Sequence, residues 1–230
     1  MIGIIGAMQE EVNEILNIMD NYKSITKYDA TFYKGQILSK DVIVCLAGIG
    51  KVRSSLSVSV LVNEFNVDKI INIGTAGGLL ESQNELDIIV ATKLSYHDFE
   101  LDVLGWTKRK GFTGHDLIFN SDPKFVKIME NIAKESQHKF WIGPMVSGDM
   151  FVNKKEQVDK ILSEFPEALA SEMESASVAH SCTFFKIPFI IIRSLSDITV
   201  KEGNSISFEE YLEKASKNSA IICKKFIEQL

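Results

Sequence analysis

The sequence has 230 residues, of which 45% are apolar and 24% charged, with a formal net charge of -6 at pH 7. That length suits one large α/β domain or two small ones, and the balance is that of a folded globular chain rather than a disordered or fibrous one. A negative net charge speaks against a nucleic-acid binder, since phosphate is met by a basic face, and the one dense basic cluster, Lys108-Arg109-Lys110, is too small to supply it.

The chain opens with Ile2–Ile5, a short apolar run that reads as a buried strand; it meets Glu10 and Glu11 at once and lacks the basic leader of a signal peptide. A helix follows, with Val12, Ile15, Leu16 and Met19 on one face. Phe32–Leu38 and Asp41–Leu46 read as two strands joined by a turn at Ser39-Lys40. Gly48-Ile49-Gly50 breaks the chain before a helix carrying Val52, Leu56, Val60 and Leu61. Lys69–Ile73 is a strand that runs into a small-residue loop, Gly74–Gly78, and Asp87–Ala91 is another strand. Residues 97–122 show no clear period and read as a long irregular excursion, the kind of segment that often carries function.

Beyond it, Phe125–Ala133 is helical, with Val126, Met129, Ile132 and Ala133 inward. Ile142–Ser147 is a strand, and Lys154–Ser163 a short helix. Leu169–Glu172 begins as a strand and passes into a helix with Ala176, Ala179 and Cys182 on one face. Phe189–Ile192 is the most apolar strand. The last helix opens at Ser207 with a capping box and continues through Tyr211, Leu212, Ala215, Ile222, Cys223, Phe226 and Ile227. Alternating strands and helices, with strands apolar on both faces, predict a single α/β domain over residues 1–230: a mixed, mostly parallel sheet or distorted barrel flanked by helices.

Cys45, Cys182 and Cys223 are scattered among apolar residues, so they read as buried free thiols in a reducing, cytoplasmic setting, with no disulfide framework or zinc site. No stretch approaches the roughly 20 apolar residues of a membrane helix. Gly48-Ile49-Gly50-Lys51 lacks the first glycine of a P-loop, and Gly3–Gly6 does not give the dinucleotide fingerprint, so neither ATP nor NAD is expected.

In α/β sheets ligands bind beyond the carboxyl ends of the strands. Here those ends carry Gly6–Glu11, Gly74–Gly78, Ser171–Glu174 and Ser194–Asp197. Glycines let a ligand approach the backbone, and carboxylates supply acid, base and hydroxyl-binding chemistry. Each residue also has a plainer reading. Glu11, Glu172 and Glu174 suit helix N-termini, where the dipole favours anions. Asp197 suits a turn or cap, and His97 a hydrogen-bonded structural position. Met8, Met173, Phe151 and Phe208 suit the core. The residues alone reach an α/β enzyme with three or four carboxylates at one sheet edge and no metal set.

The strings GIIGAMQEEV at 3–12, GIGKV at 48–52, GTAGG at 74–78, YHD at 96–98, VSGDMF at 146–151, SEMES at 171–175, RSLSD at 193–197 and SFEEYL at 207–212 add to this. In that order the sequence resembles the bacterial 5′-methylthioadenosine/S-adenosylhomocysteine nucleosidases. The resemblance implies the nucleoside phosphorylase fold, a homodimer, a small-molecule nucleoside substrate, and no cofactor or metal. It implies that Glu11 is the base for the attacking water and that Asp197, beside Ser196, protonates adenine N7. Glu174 would grip the ribose hydroxyls with Met173 against the sugar. Met8, Thr75 and Gly77 would lie near the ribose and the water. Phe151 and Val152 would hold adenine, and Ile49 and Phe208 the 5′-thio substituent.

Three acidic groups fit the chemistry: an acid for the leaving base, a carboxylate facing the cationic sugar and a base for water. The sequence departs from the family pattern at Thr75, where Ser is usual, and at Ser171 and Ser175, where a small apolar residue is usual. Residues 99–114 depart most, with Leu104 in place of an aromatic and Phe112 near a usual proline; residues 97–114 are expected to reach the partner's site. Asn72 stands where phosphate-using relatives carry arginine, which favours hydrolysis over phosphorolysis. A nucleosidase for an aminodeoxyfutalosine-type nucleoside and a non-catalytic nucleoside-binding protein are the remaining readings.

Overall fold

The computed structural model describes residues 1–100, 117–201 and 204–230. Ten strands and six helices are assigned there. The strands are β1 (Ile2–Gly6), β2 (Asn21–Lys27), β3 (Ala30–Ile37), β4 (Lys40–Leu46), β5 (Lys69–Gly78), β6 (Ile88–Tyr96), β7 (Phe119–Asn120), β8 (Phe140–Ser147), β9 (Ala170–Glu172) and β10 (Phe189–Ile198). The helices are α1 (Gln9–Leu16), α2 (Lys51–Phe65), α3 (Pro123–Glu135), α4 (Lys155–Glu164), α5 (Ser175–Phe185) and α6 (Asn204–Glu228).

All the strands belong to one mixed sheet. β10 runs parallel to β5 and antiparallel to β6. β6 and β8 are parallel, as are β8 and β9, and β9 returns antiparallel to β5 at Gly77 and Gly78. These five strands therefore close on themselves as a barrel. From β5 the sheet extends outward through β1 and β4, both parallel steps, and then antiparallel through β3 to β2.

The period of two along each strand splits the core into two layers. Ile4, Ile71, Val90, Ile190 and Ile192 meet the apolar stripes of α1, α3 and α6, where Phe125 and Phe226 pack edge to face. Ile5, Ile43, Ile70, Ile89 and Ile191 meet α2 and α5 on the other side. Strands buried on both faces therefore read as continuous apolar runs. Cys45, Cys182 and Cys223 are buried free thiols within these layers. Among the described residues, no helix is long and apolar enough to cross a membrane.

Several elements differ from the expected ones. β2 is an added strand whose side chains are mostly exposed, so it has no apolar alternation to betray it. β5 continues as strand through Gly74–Gly78, because β9 and β10 pair with that stretch. β10 likewise runs on to Ile198 across a bulge between Leu195 and Asp197. α2 turns Ser54, Ser57, Val58 and Leu61 inward and leaves Val52 and Leu56 70% and 61% exposed. Its small serines let α5 approach closely, with Ser54 Oγ 2.6 Å from Ser177 Oγ. Met19 lies beyond the end of α1. α6 already includes Asn204–Ser207, so Ser207 lies inside the helix rather than at its cap. Of the irregular excursion, residues 101–116 lie outside the described residues, and Phe119–Asn120 pairs with β6.

Candidate active site

The carboxyl ends of β1, β5, β9 and β10 and the loop after β8 surround a cavity of about 500 Å³. Every residue that the resemblance assigned to catalysis or substrate binding lines it: Met8, Glu11, Ile49, Thr75, Gly77, Phe151, Val152, Met173, Glu174, Ser196, Asp197 and Phe208. Ala7, Ala76, Met150, Ser171, Glu172 and Glu209 complete the wall.

Glu11 is the third residue of α1 and folds back over the helix start. Its Oε2 accepts hydrogen bonds from the backbone N–H groups of Ala7 (2.8 Å) and Met8 (3.1 Å). Its Oε1 accepts from the Thr75 N–H at 3.0 Å. It therefore fills the helix-terminal place that its dipole favours and faces the cavity as well. Burial pushes its carboxyl above the ordinary range, against the pull of the Arg193 charge and the three backbone donors. The approach to β5 depends on Gly74. A Cβ there would lie 2.6 Å from Glu11 Oε1, so any larger residue would displace the carboxylate.

Glu172 and Glu174, two apart, go to different places. Glu172 accepts from the backbone N–H groups of Glu174 (3.0 Å) and Ser175 (2.9 Å), which makes it the acid at the start of α5. It also accepts from Ser147 Oγ and pairs with Arg193 Nη2 at 2.8 Å. Its carboxyl is held low: burial raises it, but the Arg193 charge and these hydrogen bonds prevail. Glu174 instead turns into the cavity, where its Oε1 accepts the Gly50 N–H at 2.8 Å. Burial, and then the negative charge of Glu172, raise its carboxyl to about 8.

Beneath the cavity floor lies a polar cluster the sequence reading did not assemble. Arg193, 1% exposed, donates through Nη2 to Asn72 Oδ1 (2.6 Å) and Ser175 Oγ (2.8 Å) as well as to Glu172. Asn72 in turn donates to the Ile5 carbonyl at 2.9 Å, tying β5 to β1. Four of its members, Ser147, Glu172, Ser175 and Arg193, stood inside quoted strings, and Asn72 was read only as the residue in place of a phosphate-binding arginine; nothing in the sequence brought the five together.

Asp197 is 1% exposed, just past the β10 bulge, and Ser196 Oγ donates to its Oδ1 at 2.9 Å. Across the cavity, Phe151 meets Phe208 edge to face with ring centroids 5.4 Å apart; Phe151 is exposed and Phe208 partly buried. Ile49 is 56% exposed at the mouth. Thus Phe151, Phe208 and Ile49 form an apolar wall rather than core. Val152 is buried, with its carbonyl 3.5 Å from Thr199 Oγ1. His97 is buried against Gly148, where a Cβ would meet its ring at 2.5 Å, and it does not line the cavity.

A family model described as Phosphorylase superfamily matches residues 1–228. A 5′-methylthioadenosine/S-adenosylhomocysteine nucleosidase of Staphylococcus haemolyticus is 37% identical over 230 residues, the whole of both chains. The chain belongs to this nucleosidase family. Among solved structures of the family, the S-adenosylhomocysteine nucleosidase of Streptococcus pyogenes, in complex with 5-methylthiotubericidin, superposes with a TM-score of 0.95 at 33% identity. That match covers 100% of this chain and 96% of the other. The futalosine hydrolase of Helicobacter pylori is also similar, with a TM-score of 0.93 at 34% identity, covering 100% of this chain and 97% of the other.

The raised carboxyl of Glu174 has a consequence for stability. The native state holds a proton on Glu174 that the unfolded chain gives up near the ordinary value of 4.5, so stability falls as pH rises from there to about 8. Glu174→Gln removes that penalty and can keep the Gly50 contact. Its melting temperature should match wild type near pH 4 and exceed it at pH 9. Thermal unfolding of both proteins across that range checks this.

Proposed function

We propose that the chain hydrolyses the N-glycosidic bond of 5′-methylthioadenosine and S-adenosylhomocysteine, releasing adenine and a 5-thioribose. The observation that carries this reading is the convergence of three buried carboxylates, Glu11, Glu174 and Asp197, on one largely apolar cavity. In this reading adenine lies between Phe151 and the Val152 backbone, and the 5′-thio group lies against Ile49 and Phe208. Glu174 binds the ribose hydroxyls, with Met8 and Met173 packed on the sugar and Thr75, Gly77 and Ser196 completing the floor. As the C1′–N9 bond breaks, its electron pair passes to adenine and Asp197 gives a proton to N7. Glu11, raised by burial, takes a proton from the water that attacks C1′. The positive charge developing on the sugar favours the ionised form of Glu174, which in turn stabilises that charge. No cofactor or metal enters this scheme.

Hydrolysis is favoured over phosphorolysis by the cation inventory. Asn72 fills the position at which phosphate-using relatives carry arginine, and the nearby Arg193 charge is already matched by Glu172. The similarity to a futalosine hydrolase makes a futalosine-type nucleoside the natural competitor in a substrate panel. We also read the protein as a cytoplasmic homodimer, with no nucleic-acid or membrane partner. Val52, Leu56 and Phe184, 70%, 61% and 77% exposed, lie along a hollow of about 570 Å³ between α2 and α5, and that much apolar surface calls for a partner. The expected reach of residues 97–114 into the partner's site falls mostly outside the described residues.

Free adenine should appear at the same rate with and without phosphate, alongside free sugar; a phosphate-dependent rate or a sugar-1-phosphate would refute hydrolysis. Methylthioadenosine and S-adenosylhomocysteine should be turned over faster than a futalosine-type nucleoside in the same assay. Asp197→Asn keeps the size and the hydrogen-bonding capacity but has no proton to give, so kcat should drop by about 10²–10⁴ while folding persists. A turn-capping role would give the opposite pattern, a lower melting temperature with activity kept. Sedimentation at micromolar concentration should show a dimer, and a monomer there would refute that reading.

A further inference from the structure

Three of the quoted strings hold charged residues that the scheme above does not use: Lys51, Asp98 and Asp149. They come together beside the cavity, next to its lining residues Ile49 and Met150. Asp149 Oδ1 accepts the backbone N–H of Lys51 at 2.8 Å, at the first turn of α2. The residue before that helix, Gly50, brings no side-chain cap of its own, so the anion that the helix dipole favours is supplied from a loop 98 residues away. Asp98 Oδ2 accepts from Lys51 Nζ at 2.6 Å and from the Asp149 N–H at 2.9 Å. Lys51 Nζ also lies 3.7 Å from Asp149 Oδ2 and 5.5 Å from the Tyr96 ring centroid. The ends of β6 and β8 and the start of α2 are thus tied at one point. The tie is close-fitting: a Cβ at Gly148 would meet His97, and one at Gly50 would lie 3.1 Å from Asp149 Oδ1.

The residue next to that tie is Gly50, whose N–H holds Glu174. Gly50 has φ +99° and Gly48 φ +82°, conformations with few intrinsic restraints in glycine, so the aim of this N–H must be fixed by its neighbours. We propose that Asp149, tethered by Asp98 and Lys51, is a positioning residue that fixes the glycine turn at 48–50 so that the Gly50 N–H engages the Glu174 carboxylate. The proposal rests on the assignment of Glu174 to the ribose. The same loop continues directly into Phe151 and Val152, so one tie sets the adenine wall and the ribose carboxylate in register.

The Gly50 N–H favours the ionised form of Glu174, so loosening the turn must raise the pH at which Glu174 loses its proton. The test follows Glu174 directly, by carbon-13 NMR titration of protein labelled at glutamate carboxyls, with the resonance assigned through Glu174→Gln. In Asp149→Ala the Glu174 midpoint should move up by about one unit, the worth of one hydrogen bond to a charged group. The KM for methylthioadenosine should rise roughly tenfold, with a smaller change in kcat. Asp149→Asn, whose amide oxygen can still accept the Lys51 N–H, should restore most of both values. Asp98→Ala, which frees the Asp149 N–H and Lys51 Nζ, should shift both in the same direction as Asp149→Ala and decides the matter if Asp149→Ala does not fold. An unchanged Glu174 midpoint and KM in a folded variant, with only the melting temperature lowered, would overturn the proposal. A wild-type protein that releases no adenine would instead overturn the nucleosidase reading, and the titration would still decide whether Asp149 governs Glu174.

Discussion

Removing a guanidinium from water carries a penalty of several kcal/mol unless its charge and its N–H groups are matched. At Arg193 the match comes from Glu172, Asn72 and Ser175, residues of β9, β5 and α5, and Arg193 itself belongs to β10. Ser147 of β8 adds its hydroxyl to Glu172 and accepts the Ala176 N–H at 2.8 Å. Four of the five barrel strands therefore contribute to one buried ion pair. A partner pulled away would leave an uncompensated charge, so the pair penalises any arrangement in which these strands part.

The same pair sets the electrical character of the cavity above it. Burial first, and then the Glu172 charge, which outweighs that of the more distant Arg193, keep Glu174 protonated well above the ordinary range. Glu11 lies within reach of the Arg193 charge but is dominated by burial. Carboxyl groups of identical chemistry thus titrate differently by placement alone: Glu172 low, Glu11 and Glu174 high. Buried carboxyls of this kind hold unfavourable free energy, the usual relation between a functional site and stability.

Most of the fold was readable because its strands are apolar on both faces and its helices carry clear stripes. The sequence reading stopped where that signal stops. β2 has no buried face to give alternation. Gly74–Gly78 looks like a loop because small residues mark loops as a rule, whereas here they allow strand pairing beside a carboxylate. Val52 and Leu56 repeat at helical spacing but turn outward, since spacing defines a stripe without saying what covers it. At the site, the four strand ends located the cavity, and the matching strings gave the individual residues. The residue types alone could not give the division of labour between Glu172 and Glu174; the resemblance assigned Glu174 to the ribose and left Glu172 without a role. Two acids at a helix start look alike in sequence, and only the third dimension shows that one meets an arginine and the other a glycine N–H.

The exposed strand β2 lies at one end of the sheet order, beyond β3. Among the described residues it pairs on one side only, with β3, and the open side of an edge strand is a template on which another chain could polymerise. Lys23 of β2 sits directly opposite Lys34 of β3, a repulsive pair in a hairpin, and Lys27 is anchored to Glu64 of α2. A slightly weakened hairpin with ammonium groups along its margin disfavours the docking of a further strand. Charge on an edge strand is a general device against edge-to-edge association, separate from catalysis and from the strength of the fold.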